Sequence, residues 1–281
     1  PRDTLATSLS LMGFLNEGHQ YEGATPNDVI VTKGVNHILD NAQRSGCLDP
    51  DKSMLGHSIA TILISNINKN PKNDKMLGVL KNAINYTLSQ QKKDGLWGDS
   101  AKSQYETLFA LYSFIVAEGA GLDSELFEVS RGRVEKAMNG DSLSESKELM
   151  HLLIHFSKDG VVGSKDKQIN SLINSTLKSV PEFGKSGMLA ECFLLSQIAQ
   201  SLKQDHKLEI LNNIIRRFTG KKKETESLED YGPWGVAGEF CLNSKEHVYY
   251  NNLVPLIILQ SFYQGRDILR PIELSIGYNL D

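Results

Sequence analysis

The stretch Gln90-Gln91-Lys92-Lys93-Asp94-Gly95-Leu96-Trp97-Gly98 decides how the rest of the chain is read. A segment with one apolar stripe (Met76, Leu77, Leu80, Ile84, Leu88) runs into it. A more uniformly apolar segment, 103–118, leaves it. Glycine after the last periodic residue ends a helix, and Asp-Gly makes a turn. Trp97 then places a large ring in a short loop, where it serves as an anchor between flanking helices.

Working outward, the same alternation of helix types recurs. Helices are expected at about 3–16, 26–44, 53–68, 74–92, 103–118, 123–138, 144–156, 165–180, 186–202, 205–218 and 245–264. Thr25-Pro26 supplies an N-cap followed by proline in the first turn, and Asp74 and Asp123 are expected to cap two of the amphipathic helices. Segments such as Met54-Leu55-Gly56-His57-Ser58-Ile59-Ala60-Thr61 are apolar nearly all round and belong inside. Those better-buried helices begin near 3, 53, 103, 144, 186 and 245, at intervals of about 41 to 59 residues, as stacked helix pairs do. No strand-period stretch interrupts them. The expectation is one all-α domain over 1–281, with six inner and five outer helices. Six pairs favour closure into an α/α toroid, an (α/α)6-like barrel, with an irregular tail over 267–281. Gly232-Pro233-Trp234-Gly235 is expected to be a second joint of the Trp97 kind.

The string Gln91-Lys92-Lys93-Asp94-Gly95-Leu96-Trp97 matches a Q-x-x-x-G-x-W pattern. On it the chain resembles the prenyltransferase/squalene-oxidase repeat superfamily, the home of triterpene cyclases and protein prenyltransferase β subunits. Ala6 to His19 and Met54 to Thr61 look like a bacterial branch of that superfamily, of unassigned function. The resemblance implies a barrel whose inner-helix N-termini surround a central cavity, and, for that branch, export. Two family features are missing. Cyclases protonate their substrate with an Asp-x-Asp-Asp-type acid, whereas the nearest string here is Asp49-Pro50-Asp51-Lys52 in a polar loop, better explained as a turn or cap. Prenyltransferases hold zinc with Asp, Cys and His, whereas Cys241, Glu246 and His247 carry a different spacing; Cys241 and His247 are the remaining metal candidates.

If inner-helix N-termini line a cavity, the polar residues of their first turns face it. The candidates are His57, Tyr105, Glu106, Glu148, His151, Glu191, His247 and Tyr250, joined by His19 from the bacterial-branch match. A polar group on an apolar helix needs a partner or a wet surface, because unpaired burial costs several kcal/mol. Each of these residues is therefore equally explained by a hydrogen bond to a neighbouring helix end or loop.

Composition narrows the function classes. Hydrophobic residues at 40% and charged residues at 23% fit a soluble globular protein with a sizeable core. A net charge of −4 and the absence of a broad basic face argue against a nucleic-acid binder. Cys47, Cys192 and Cys241 are isolated and form neither a disulfide framework nor a zinc knuckle. No apolar run reaches membrane-spanning length. The first residue is Pro1, so processing or excision from a longer chain is expected, with no visible leader. No phosphate loop, nucleophile elbow, HExxH or EF-hand loop is present, and no cofactor is expected. The preferred expectation is a repeat protein of unassigned activity that holds an apolar small molecule or a protein segment in its cavity. One alternative is a terpenoid cyclase or prenyl-group enzyme with a displaced acid, for which 7% aromatic residues is a thin lining. The other is a carbohydrate-active (α/α) barrel lyase or hydrolase, with Glu106 paired to Glu148 or Glu191.

Overall fold

The computed structural model describes residues 4–68, 74–98, 103–139, 147–159, 167–180, 188–200 and 209–214. These are all-helical, with no strand among them. In chain order they form α1 (Thr4–Asn16), α2 (Pro26–Asp40), α3 (Met54–Ile67), α4 (Asp74–Ser89) and α5 (Ser103–Gly119). There follow α6 (Glu125–Met138), α7 (Lys147–Asp159), α8 (Lys167–Ser179) and α9 (Met188–Gln200), and residues 209–214 are also helical. The helix expected at 245–264, the joint at 232–235 and the tail lie outside the described residues. No described helix is long and apolar enough to cross a membrane.

The packing order separates the two helix types. α3 lies between α1 and α5, and α5 continues the row to α7. α2 packs on α1, α4 on α3 and α8 on α7, so these three cover the row from outside. The sequence explains the division. In α3, buried residues occupy every position from Gly56 to Ser65, whereas α2 buries only Asp28, Val31, Val35 and Ile38. An all-round apolar helix has to be covered on all sides. α9 also reaches α5 directly: Phe109 of α5 and Phe193 of α9 meet with ring centroids 5.9 Å apart, both fully buried.

Among the described residues two kinds of connection each appear twice. From inner to outer helix the chain turns through a left-handed glycine: Gly18 (φ 90°) after α1 and Gly121 (φ 107°) after α5. His19 N–H donates to Phe14 O and Leu122 N–H to Ala117 O, both at 3.1 Å, which satisfies carbonyls left over at the helix ends.

From outer to inner helix the chain makes a tighter joint. Gln43 N–H donates to Cys47 O (2.8 Å) and Gly46 N–H to Gln43 O (2.9 Å). One repeat later, Lys92 N–H donates to Leu96 O (2.9 Å) and Gly95 N–H to Lys92 O (3.0 Å). Gly46 and Gly95 have φ of 93° and 90°. Each glycine lies against a backbone carbonyl of the next outer helix, Asn82 O of α4 and Arg133 O of α6, with no room for a Cβ. The residue two places on donates its amide into the next inner helix: Leu48 N–H to His57 Nδ1 (3.1 Å), Trp97 N–H to Thr107 Oγ1 (3.0 Å). Gln91 reinforces only the second joint, its Nε2 donating to Gly95 O (2.8 Å) and across to Ser130 O of α6 (2.9 Å).

Candidate functional site

The first turns of the inner helices do not all present their polar residues to open space. His57 sits one turn into α3 and is fully buried. Its Nδ1 accepts from Leu48 N–H, which leaves the proton on Nε2. That Nε2–H reaches Ala83 O (3.1 Å) and Thr87 Oγ1 (3.0 Å) on α4, while the Thr87 hydroxyl donates to Ala83 O. The edge of Tyr86 closes the remaining side, with centroids 4.8 Å apart. Both ring nitrogens therefore face protein groups, and the imidazole joins the loop before α3 to α4.

Burial holds His57 neutral, pulling its pKa down to about 4 from 6.5. Because the folded value lies below the unfolded one, its contribution is complete above pH 6.5 and is lost as pH falls through the folded pKa. At about 1.4 kcal/mol per unit, the whole span is worth about 3 kcal/mol. Chemical denaturation at pH 7 and pH 4 is expected to show a loss of that order, and His57→Gln is expected to flatten the profile. An unchanged slope in the variant would remove His57 as its source.

Asp49 shares this corner. Its carboxylate accepts from Asp51 N–H (3.3 Å) and Ser53 N–H (3.0 Å) and presses on Gly56, so the acidic string is a turn and cap device. Burial raises the Asp49 carboxyl above its ordinary range. Cys47 is buried beside it, its Sγ–H donating to Asp49 O (3.2 Å), and burial raises the thiol too. Burial, followed by its bond with Cys47, pushes the Tyr86 hydroxyl up to about 12. A raised thiol pKa makes a weak nucleophile.

His19 follows the C-terminus of α1, at the other end of its helix from the first-turn candidates. Its Nδ1 is 3.7 Å from Asp28 Oδ1, its Nε2 3.0 Å from Asn27 Nδ2, and its ring rests on Phe14. Asp28 is the organiser there. It completes a capping box with Thr25 and accepts from Gln20 N–H (2.7 Å) and Thr25 N–H (2.8 Å). The hydrogen bond with the Thr25 side chain, then the backbone amides, lower its pKa. Thr32 and Asn36, one and two turns further along α2, accept from Glu22 N–H and the Tyr21 hydroxyl. That stripe straps the loop onto α2.

The remaining candidates fall on α5, α7 and α9. Glu106, Glu148 and Glu191 each stand in the first turn of their helix. Glu106 and Glu148 are half-buried, Glu191 is buried, and the Glu106 carboxylate lies against Gly98, filling the space a Cβ there would occupy. Tyr105 is half-buried, and His151 is exposed. Phe109 and Phe193, in the second turns of α5 and α9, pack beneath this level and bring the two N-terminal ends together. His247, Tyr250 and Cys241 lie outside the described residues. Among the described residues no group of three or more His, Cys, Asp or Glu side chains could hold a metal ion.

Sequence reasoning missed Tyr112, Phe109 and Phe193 as inward groups and Thr87 as a hub. Burial raises the Tyr112 hydroxyl far above its ordinary range. Phe109 follows Glu106 by one turn, and that spacing was the available signal. Nothing in sequence marks Thr87, because its partners beyond α4 come from two other segments, His57 of α3 and Trp97 of the joint. Comparison with protein-family models, with curated proteins and with solved structures finds no match to this chain.

Proposed function

We propose that the chain is a binding protein of the prenyltransferase/squalene-oxidase repeat kind, closed as an α/α toroid, which holds an apolar small molecule or a protein segment at the inner-helix N-terminal end. The observation that carries the reading is that α5, α7 and α9 each carry a first-turn glutamate, with a buried Phe109–Phe193 contact one turn further into α5 and α9. An apolar floor with a few polar groups at its rim suits retention and orientation of a mostly apolar occupant. The Q-x-x-x-G-x-W resemblance supports the toroid architecture, and the motif belongs to the scaffold, so it assigns no reaction.

Titration with the neutral apolar fluorophore N-phenyl-1-naphthylamine tests this reading. One saturable site is expected, weakened about tenfold in Phe109→Leu by lost packing; because Phe109 is fully buried, that variant is also expected to lose about 1–3 kcal/mol of stability, so binding is compared at a temperature where both proteins are folded. Absence of saturable binding would overturn it. Stoichiometric zinc in the purified protein, or turnover of a polyprenyl diphosphate, would replace the binding reading with an enzymatic one.

A further inference from the structure

The two outer-to-inner joints share a backbone turn but differ in one acceptor. Leu48 N–H is received by an imidazole nitrogen of His57, Trp97 N–H by the hydroxyl of Thr107. A hydroxyl does not titrate in the physiological range; an imidazole does. The two are coupled through α4, because Thr87 bonds His57 with its hydroxyl and Trp97 Nε1 with its carbonyl (2.7 Å). Protonation of His57 can only occur at Nδ1, since Nε2 already carries hydrogen. It would set an N–H against the Leu48 N–H at 3.1 Å, two donors with no acceptor between them.

We infer that the 41–53 joint is an acid-released latch: protonation of His57 at Nδ1 expels the Leu48 amide, frees the loop from α3 and uncovers Cys47, while the 91–98 joint stays shut. Among the described residues, His57 and Asp49 are the titrating groups at this joint that bear on the latch in acid. The joint carries Cys47 and Asp49, which Asp51 and Lys52 adjoin, and α4 sets Tyr86 against the ring. α1 offers only the Thr4 hydroxyl, which bonds Asp49. Among the described residues no charged side chain of α1, α3, α4 or α5 acts on the imidazole, which responds to burial and to the Ala83 carbonyl. Asp49 works in the opposite direction: its buried carboxyl favours the protonated form, which steadies the closed joint in acid. Cys47 reports the state of the latch, being fully covered when it is shut.

The test follows two amides and one thiol. Protection factors of the Leu48 and Trp97 amides, corrected for intrinsic exchange rates, are measured by hydrogen exchange from pH 6.5 to 4.5. Cys47 labelling by 4,4′-dithiodipyridine is measured over the same range in a Cys192→Ala/Cys241→Ala background, with far-ultraviolet circular dichroism alongside. Leu48 protection is expected to fall about tenfold or more and Cys47 labelling to rise by a similar factor, with Trp97 protection and helix content unchanged. His57→Thr, which installs the acceptor type of the second joint, is expected to remove the response. Leu48 and Trp97 losing protection together, or Cys47 reacting only as helix content is lost, would overturn the inference. The comparison of the two wild-type amides decides it even if His57→Thr fails to fold.

Discussion

Gly95→Ala is expected to destabilise the protein by about 4 kcal/mol, read by chemical denaturation, from two causes acting at one atom. At φ 90° any side chain meets its own backbone, at roughly 1–2 kcal/mol. The new Cβ would also lie 2.5 Å from Arg133 O, a rigid helix carbonyl, so the joint must pull away from α6. That withdrawal breaks the Gln91 bond to Ser130 O at the same time. Gly46→Ala is expected to behave alike, against Asn82 O of α4. Gly78→Ala and Gly132→Ala are the controls: both glycines are helical and a Cβ there meets nothing within 4 Å. They are expected to stabilise by about 0.5–1 kcal/mol, as alanine does in a helix. Similar effects at all four positions would show that the joints are ordinary loops.

Trp97→Ala is expected to cost about 4–5 kcal/mol, the upper range for deletion of a buried aromatic side chain. Trp97 has no exposed surface, although it belongs to a loop. Its ring meets the edge of Phe114 at 5.8 Å, and Phe114 stacks on Phe127 at 4.9 Å, so one aromatic line runs from the joint through α5 to α6. Trp97→Phe keeps much of that line and isolates the polar part. The loss of the Nε1 bond to Thr87 O is expected to cost about 1–3 kcal/mol, because the carbonyl is left buried without that donor. If Trp97→Ala and Trp97→Phe cost the same, the aromatic line contributes nothing and packing at this joint is incidental.

How much of this was legible beforehand differs by level. Helix existence and type were open to reading because burial writes a periodicity into sequence. The unbroken apolar run of α3 and the single stripe of α4 differ visibly, and their packing follows that difference. Boundaries were less legible: α2 was expected to reach 44 and ends at Asp40, because the 41–47 segment closes its own turn through the Gln43 bonds. α6 takes Ser124 as its cap without a side-chain bond, while Asp123 Oδ1 accepts from Glu125 N–H one step away.

The joint at 91–98 announced itself through Gln91 and Trp97. Its counterpart at 43–48 did not, because Leu48 replaces the tryptophan and Ala42 stands where the glutamine would be. What the two share is a left-handed glycine and an amide aimed at the next inner helix, and backbone geometry leaves only a faint mark in sequence. The candidate site was legible as residue types and not as roles. His57 and Glu106 look alike in sequence, as polar residues near the start of an apolar helix. In the structure one is a fully bonded tie between helices and the other stands half-buried beside Gly98. The difference lies in the Leu48 amide and the Thr87 hydroxyl, which approach His57 from other segments.

The central claim is that the two outer-to-inner joints are one structural device holding successive helix pairs in register. Native-state hydrogen exchange at pH 7 tests it most directly. Loop amides ordinarily exchange through small local openings. The account predicts that Leu48 and Trp97 are protected to a similar degree, each exchanging through the opening of its own joint at a free energy far above that of a surface loop. Exchange of either amide at the fast rate of an ordinary surface loop would contradict it.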